Sequence, residues 1–159
     1  MDIRIGNGYD VHALAEGLTL TLGGVRIPFE KGCVAHSDGD VLIHALCDAL
    51  LGALALGDIG RHFPDTDQKY RGIDSRILLR KVRDMIAEKG YHISNADCTL
   101  LLQRPKVAPY IDEMRKCLAS DLGVEIERIA VKATTTEHLG YEGRGEGVSA
   151  MASVLLTGE

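Results

Sequence analysis

Alternating hydrophobic and polar residues open the chain, a pattern typical of a β-strand. Ile3 and Ile5 alternate with polar neighbours, and we expect this first strand to end at the glycines that follow, Gly6 and Gly8. Residues 9–12 would then lie just beyond the end of the strand. This segment carries the first side chains with useful chemistry, because it contains an aspartate and a histidine two positions apart.

Further alternating or apolar segments predict the remaining strands. Residues 18–22 and 25–27 flank two glycines that tolerate positive φ, which predicts a β-hairpin. Residues 96–102, 129–134 and 148–156 predict three more strands.

Three segments have the spacing of helices. Residues 74–90 and 109–123 each carry one apolar stripe, as helices that cover a sheet do. Residues 40–56 are rich in Leu and Ala, with Asp40 placed as the N-cap, and are apolar nearly all round. The polar exceptions recur every four residues on a single stripe, at Asp40, His44, Asp48 and Gly52.

The order of these elements predicts the fold class. Helices placed between strands in this order indicate an α+β protein with a mixed β-sheet covered on one face by helices, plus the hairpin. A length of 159 residues favours a single domain spanning residues 1–159.

Composition excludes several classes of partner. The formal charge is −5, from 18 Lys and Arg against 23 Asp and Glu, and there are only five Tyr, two Phe and no Trp. We therefore expect no binding to nucleic-acid polymers, which need basic surfaces and stacking platforms. Apolar stretches are too short to span a membrane, and residues 1–12 resemble no targeting segment, so we expect no membrane association and a cytoplasmic location. The four cysteines lack C-x-x-C spacing and are expected to stay reduced.

Asp10, His12 and His44 form a candidate metal site. Asp10 and His12 project to the same side of an extended chain, and His44 lies on the polar stripe of the long helix. Two imidazoles and one carboxylate suit zinc or a similar divalent ion and leave a coordination position open, as in catalytic sites. A core histidine that is hydrogen-bonded to a neighbouring carboxylate fits His44 equally well.

Three loops carry groups suited to phosphates. Residues 35–40 place an imidazole, a hydroxyl and two carboxylates before the long helix, where they could bind phosphate or simply cap the helix. Residues 57–60 and 63–67 contain carboxylates that could recognise ribose hydroxyls, or could be solvated turn residues. Residues 132–137 end a strand with three threonines and a glutamate, a set suited to a diphosphate with a bound cation.

Together these motifs resemble one known family. In chain order they are G-x-G-Y-D-V-H, A-H-S-D-G-D-V-x-x-H, G-D-I-G-x-x-F-P-D-T-D, Q-x-P-K and V-K-A-T-T-T-E-x-L-G-Y-x-G-R-G-E-G. The sequence closely resembles the 2-C-methyl-D-erythritol 2,4-cyclodiphosphate synthases from Arg4 to Leu156. Members of this family are phosphorus–oxygen lyases of non-mevalonate isoprenoid synthesis. They cyclise 4-diphosphocytidyl-2-C-methyl-D-erythritol 2-phosphate by intramolecular phosphoryl transfer and release CMP.

The resemblance implies a role for each candidate residue. Asp10, His12 and His44 would bind zinc, and Glu137 would bind a second ion, magnesium or manganese, with one of each ion in every active site. His36 and Thr135 would stabilise the transition state. The implied substrate contacts are Asp10, Val11, His12, His36, Ser37, Asp58, Ile59, Gly60, Phe63, Pro64, Asp65, Thr66, Asp67, Leu102, Gln103, Arg104, Pro105, Lys106, Val107, Ala108, Thr134, Thr135, Thr136, Glu137, Tyr141 and Arg144. Asp40 and Asp48 fit either a partner of His44 or a plain cap or buried hydrogen bond.

The resemblance also implies an assembly. The family forms homotrimers with the sheets around the threefold axis and active sites shared between subunits, and Tyr141 and Arg144 would face a central cavity that accepts an isoprenoid diphosphate. Two other functions fit the same residues. One is a metal-dependent phosphohydrolase, in which the open zinc position activates water. The other is a zinc-stabilised trimer without enzymatic activity, whose cavity binds a lipid diphosphate.

Overall fold

Seven strands and five α-helices are present in the computed structural model, which describes residues 1–159. The strands are β1 (Asp2–Glu16), β2 (Leu20–Leu22), β3 (Val25–Ile27), β4 (Lys31–Cys33), β5 (Tyr91–Leu101), β6 (Ile129–Thr134) and β7 (Gly147–Gly158). The helices are α1 (Val41–Ala53), α2 (Ile59–His62), α3 (Ser75–Glu88), α4 (Ile111–Leu122) and α5 (Gly140–Gly143). Three 3-10 turns lie in the connections, at Gln68–Tyr70, Ala108–Tyr110 and Ile126–Arg128.

Five of the strands form one mixed sheet in the order β4-β1-β7-β5-β6. Strand β7 is antiparallel to both β1 and β5, whereas β5 and β6 run parallel. Strands β2 and β3 form a separate hairpin that pairs Leu22 with Val25. The α+β class, the mixed sheet and the hairpin are confirmed. The short edge strand β4, which pairs with the end of β1, was not predicted from the sequence.

The prediction that the first strand ends at Gly6 and Gly8 is wrong. Strand β1 continues through both glycines for 15 residues. A Cβ atom on Gly6 would lie 1.9 Å from the carbonyl oxygen of Ala49, and one on Gly8 would lie 1.9 Å from that of Ala45. The glycines therefore permit close approach of α1 to the middle of the strand rather than a turn.

Asp40 fastens helix α1 to the hairpin. Its Oδ1 atom accepts hydrogen bonds from the backbone N–H of Ile43 and of Gly23, and its Oδ2 atom accepts one from Gly24. The carboxylate is fully buried, and burial raises its pKa to about 6. The helix ends at Ala53, earlier than the predicted residue 56, and Ala55 has a left-handed backbone with φ of 55° that cannot continue it. The side chain of Asp40 thus serves as cap and anchor.

Helices α3 and α4 complete the layer on the same face of the sheet as α1, packing against β5 and β6. Both begin and end close to their predicted limits, and α4 stops at Gly123, whose φ is 69°. The two helices are joined by a buried ion pair in which Asp121 lies 2.7 Å from Arg76 and 3.0 Å from Arg80. One hydrophobic core of 35 buried residues lies between the helices and the sheet.

The opposite face of the sheet carries exposed apolar side chains. On β1 the odd-numbered positions face away from the helices, and Ile3 and Ile5 are 56% and 79% exposed. Tyr9, Val11 and, on β7, Met151 continue this surface, which we call the outer face. No helix of the structure has the length and apolar character needed to cross a membrane.

Candidate functional site

Asp10, His12 and His44 meet where β1 faces the first turn of α1. The Oδ2 atom of Asp10 lies 3.0 Å from Nε2 of His12 and 3.1 Å from Nδ1 of His44. The two histidine nitrogens are 3.1 Å apart, so the three atoms form a nearly equilateral triangle. Asp10 and His12 point to the same side of β1 because they are two residues apart in an extended strand. The strand and helix together therefore present three ligand-type atoms at one point.

This triangle fits a divalent metal ion. Zn–N and Zn–O bonds of about 2.0–2.1 Å place the ligands of a tetrahedral ion about 3.3–3.4 Å apart, a few tenths of an ångström more than the distances here. The donor set of two imidazoles and a carboxylate is one that zinc accepts. Because only three side chains converge, an ion held here would keep a position for a substrate oxygen or a water molecule.

The pKa shifts of Asp10 and His44 are consistent with a metal site. Although burial of Asp10 opposes the effect, hydrogen bonds from His12 and His44 hold the pKa of its carboxyl well below the usual range. Burial likewise favours neutral His44, but the hydrogen bond it donates to Asp10 raises its pKa overall. Asp10 is therefore an anionic ligand at neutral pH. A metal ion that binds Nδ1 of His44 has to displace a proton from that nitrogen.

The far side of the His44 ring contacts two serines. Its Nε2 atom lies 2.9 Å from Oγ of Ser75 and 3.1 Å from Oγ of Ser37. Neither of the two carboxylates considered as partners from the sequence contacts the ring. Asp40 binds the hairpin and α1 as described above, and Asp48 accepts a hydrogen bond of 2.8 Å from the backbone N–H of Ile59. Asp40 is therefore a helix cap, and Asp48 forms a hydrogen bond to the backbone, as the second of the two interpretations predicted.

The metal-ligand triangle lies on the wall of a cavity of about 580 Å³, a size common for small-molecule sites. His36 and Ser37 contribute to the same wall, and the Nε2 atom of His36 lies 3.1 Å from the carbonyl oxygen of Asp67. The cavity also contains these residues expected to contact substrate: Ile59, Gly60, Phe63, Pro64, Asp65 and Thr66. Asp58 caps the short helix α2 at its edge by accepting a hydrogen bond from Arg61.

A second pocket of about 220 Å³ lies at the ends of β5 and β6. It brings together most of the other expected substrate contacts: Leu102, Gln103, Pro105, Lys106, Val107, Ala108, Thr134 and Thr135. His36 and Thr135, expected to act in one active site, thus line different pockets of the same chain. A single chain does not unite the two.

The remaining candidates occupy the segment after β6 and the outer face. Glu137 is exposed and has a left-handed backbone, with φ of 54°, and it belongs to no cluster of three ligand-type side chains. Thr136 donates a hydrogen bond to the carbonyl oxygen of Leu139. Tyr141 contacts Tyr9 and Ser149. Three further candidates lie exposed, outside both pockets: Val11, Arg104 and Arg144.

Ser75 is a site residue that the sequence did not single out, and Asp38 was considered there only within residues 35–40, as a phosphate-binding or capping group. Ser75 is fully buried, and it reaches the back of His44 although 31 positions separate them. Asp38 accepts hydrogen bonds from both the hydroxyl and the backbone N–H of Ser75. No periodicity or short motif links these residues. The only available signal was the density of polar groups in residues 35–40.

Comparison with known proteins agrees with the geometry. The sequence profile described as the YgbB family matches residues 3–157. The chain is 63% identical to a 2-C-methyl-D-erythritol 2,4-cyclodiphosphate synthase of Thioalkalivibrio sulfidiphilus, over 98% of this chain and 97% of that protein.

Solved structures agree as well. A CDP complex of IspF from Plasmodium falciparum superposes with a TM-score of 0.87 at 38% identity, covering 99% of this chain and 97% of that one. The bifunctional IspDF of Campylobacter jejuni superposes with a TM-score of 0.95 at 45% identity, covering 99% of this chain but 43% of the longer one. The chain therefore belongs to the YgbB family.

Proposed function

We propose that this protein is a 2-C-methyl-D-erythritol 2,4-cyclodiphosphate synthase of non-mevalonate isoprenoid biosynthesis. It converts 4-diphosphocytidyl-2-C-methyl-D-erythritol 2-phosphate to the 2,4-cyclodiphosphate and CMP, and so acts as a phosphorus–oxygen lyase. The observation that carries this proposal is the triangle of Asp10, His12 and His44, which leaves a ligand position facing a cavity large enough for a small substrate. The synthase name of a relative 63% identical over almost the whole chain supports it.

The reaction is an intramolecular phosphoryl transfer. An oxygen of the 2-phosphate forms a bond to the β-phosphorus of the cytidine diphosphate group, and the bond from that phosphorus to the oxygen of CMP breaks. Because nucleophile and electrophile belong to one molecule, the protein mainly positions the groups and neutralises charge. The cavity walls can supply positioning through the backbone of residues 59–66 and the side chains of His36 and Ser37.

Asp10, His12 and His44 would hold a zinc ion, and Glu137 a magnesium or manganese ion, one of each in every active site. Such ions withdraw charge from phosphate oxygens and fix their orientation. His36 would donate a hydrogen bond to a phosphate oxygen from its ring, and Thr135 from its hydroxyl. Both bonds would strengthen as negative charge builds up on the transferred group.

The two pockets divide the substrate between them in this proposal. The methylerythritol and phosphate groups would occupy the cavity beside the triangle, and the ribose would contact Asp58 and Gly60. The cytosine would bind in the pocket formed by residues 102–108, largely through backbone groups, which agrees with the few aromatic residues in the sequence. Structures of similar proteins contain CDP, which supports a cytidine nucleotide as ligand.

We further propose a homotrimer with active sites shared between subunits. The outer face exposes Ile5 and Met151 to 79% and 51%, and soluble proteins seldom leave such a continuous apolar surface uncovered. Copies of this chain around a threefold axis would bury it and close the ring. The separation of His36 and Thr135 into different pockets of one chain supports sharing, because a neighbouring subunit could bring the two pockets together.

A central cavity of that trimer would be lined by Tyr141 and Arg144. Tyr141 already contacts Tyr9 on the outer face, and Arg144 is exposed and paired with Glu146. An isoprenoid diphosphate could place its chain against the tyrosines and its phosphates near the arginine.

The single domain of residues 1–159 and the cytoplasmic location stay predictions.

Product analysis tests the proposed function. The purified protein is incubated with the cytidine diphosphate substrate, with and without a chelator, and the products are identified by mass spectrometry. We expect cyclodiphosphate and CMP in equal amounts, and loss of both with the chelator. His44→Ala should lose zinc and turnover yet remain a folded trimer, whereas His92→Ala, an exposed histidine on β5, is the matched control and should retain both. Undiminished turnover by His44→Ala would contradict the assignment.

A further inference from the structure

A chain of hydrogen bonds runs from the back of His44 to a carboxylate outside the metal-ligand triangle. Oγ of Ser75 lies 2.9 Å from Nε2 of His44 and 2.5 Å from Oδ1 of Asp38. Oδ2 of Asp38 also accepts a hydrogen bond of 3.0 Å from the backbone N–H of Ser75. Ser75, in the middle of this series, is fully buried, whereas Asp38 at its end is half-buried.

The chemistry of these groups determines which atom donates each hydrogen bond. A carboxylate accepts hydrogen bonds and has no proton to give, so the single hydroxyl proton of Ser75 points to Asp38. The oxygen of Ser75 can then only accept at its other contact, which requires a proton on Nε2 of His44. With Nε2 protonated, Nδ1 is the ring nitrogen free to bind a metal ion, and it faces Asp10 and His12.

We propose that Ser75, held by Asp38, is the positioning residue that fixes the ring orientation and tautomer of His44 for metal binding. A hydrogen bond to the non-ligating nitrogen also increases the basicity of the ligating one. Asp38 acts through Ser75 and does not contact the histidine ring in this arrangement. The proposal depends on the metal site of the proposed function but not on its reaction.

Ser37 is the alternative partner, because its Oγ lies 3.1 Å from the same Nε2 atom. Its hydroxyl accepts a hydrogen bond from Gly39 N–H and contacts no carboxylate, so it could donate its proton to Nε2. That arrangement would leave lone pairs of Nε2 and Ser75 Oγ facing each other across 2.9 Å inside the protein, which is unfavourable. Ser75 lies closer to Nε2 than Ser37 does, and its hydroxyl proton already bonds to Asp38. Both observations favour Ser75 as the group that accepts a hydrogen bond from Nε2.

Zinc affinity measured by competition with a chromogenic chelator tests the proposal on the whole protein without substrate. Ser75→Ala is expected to weaken zinc binding about 10- to 100-fold. Ser37→Ala, the matched control at the same nitrogen, should weaken it less than about threefold. Thermal denaturation of the metal-free variants checks that both are folded. An unchanged affinity of Ser75→Ala, or a larger loss in Ser37→Ala, would overturn the assignment.

A second measurement needs no variant. In the zinc-loaded protein with ¹⁵N-labelled histidine, NMR should detect a slowly exchanging proton on Nε2 of His44 with a nuclear Overhauser contact to the β-protons of Ser75. A protonated Nδ1, or an Nε2 without a proton, would refute the proposal. If the wild-type protein bound no zinc, the metal site itself would be wrong. If it bound zinc without this proton, only the role of Ser75 would fail.

Discussion

Substituting Gly8 with alanine should damage both the fold and the metal site, because α1 lies directly against β1 at this position. The new Cβ atom would lie 1.9 Å from the carbonyl oxygen of Ala45, whereas real Cβ atoms essentially never approach closer than 3.0 Å. Helix α1 would therefore have to move away from β1 by about 1 Å. Overpacking of this kind costs about 1–3 kcal/mol, and the upper end is expected because the obstacle is backbone.

The same displacement should reach the metal ligands. His44 precedes Ala45 on α1, whereas Asp10 and His12 lie on β1, so a shift of about 1 Å would widen a triangle whose sides are now 3.0–3.1 Å. Such a gap is too wide for one tetrahedral ion, and zinc affinity should fall at least about tenfold.

Urea denaturation of the metal-free protein and chelator competition for zinc measure the two effects. Gly52→Ala is the matched control, because its Cβ would have only one neighbour, the carbonyl oxygen of Asn7 at 3.9 Å. That substitution lies within α1 and should leave stability unchanged or raise it by up to about 1 kcal/mol. If Gly8→Ala unfolded at the wild-type urea concentration with unchanged zinc affinity, the close strand–helix contact would not be what positions His44.

Three other predictions follow from the site and the outer face. Replacing His36 or Thr135 with alanine should lower kcat about 100-fold with little change in KM, measured by steady-state CMP release. Ile5→Asp should convert the proposed trimer to monomers in analytical ultracentrifugation, because it would bury a charge in the proposed interface. Zinc affinity, measured by chelator competition, should fall as the pH is lowered: Asp10 raises the pKa of His44 despite its burial, so protons compete above the usual imidazole range of about 6.5.

Each of these predictions has a contradicting result. An unchanged kcat would remove His36 or Thr135 from the catalytic residues, and a trimeric Ile5→Asp variant would show that the outer face is not the interface. Zinc affinity that is constant between about pH 8 and 6 would mean that no ring nitrogen has to lose a proton to bind the ion.

Local patterns in the sequence were sufficient to predict most elements. The helix that carries His44 was recognisable from its apolar composition and its N-cap, Asp40, and the hairpin from its glycine pair. Asp10 and His12 were grouped because alternate residues of a strand point to the same side. This grouping remained correct although β1 is longer than predicted. Patterns of this kind depend only on neighbours in the chain, so they can be read without the fold.

What the sequence could not supply depends on contacts between distant segments. The conformational freedom of Gly6 and Gly8 led us to predict a turn. Both positions instead need glycine because α1 packs closely against β1, a tertiary contact that the local sequence does not reveal. Ser75 has no unusual sequence context and gains its place behind His44 only when α3 packs beside α1. The division of the expected substrate contacts into two pockets likewise appears only in three dimensions.

The oxygen content of the products tests the proposed function most directly. The reaction is run in ¹⁸O-labelled water, and the masses of both products are measured. A synthase should yield cyclodiphosphate and CMP that contain no solvent oxygen, because the attacking oxygen comes from the 2-phosphate of the substrate itself. Linear phosphates carrying ¹⁸O would instead show that the open position beside Asp10, His12 and His44 activates water, and would contradict the proposed synthase.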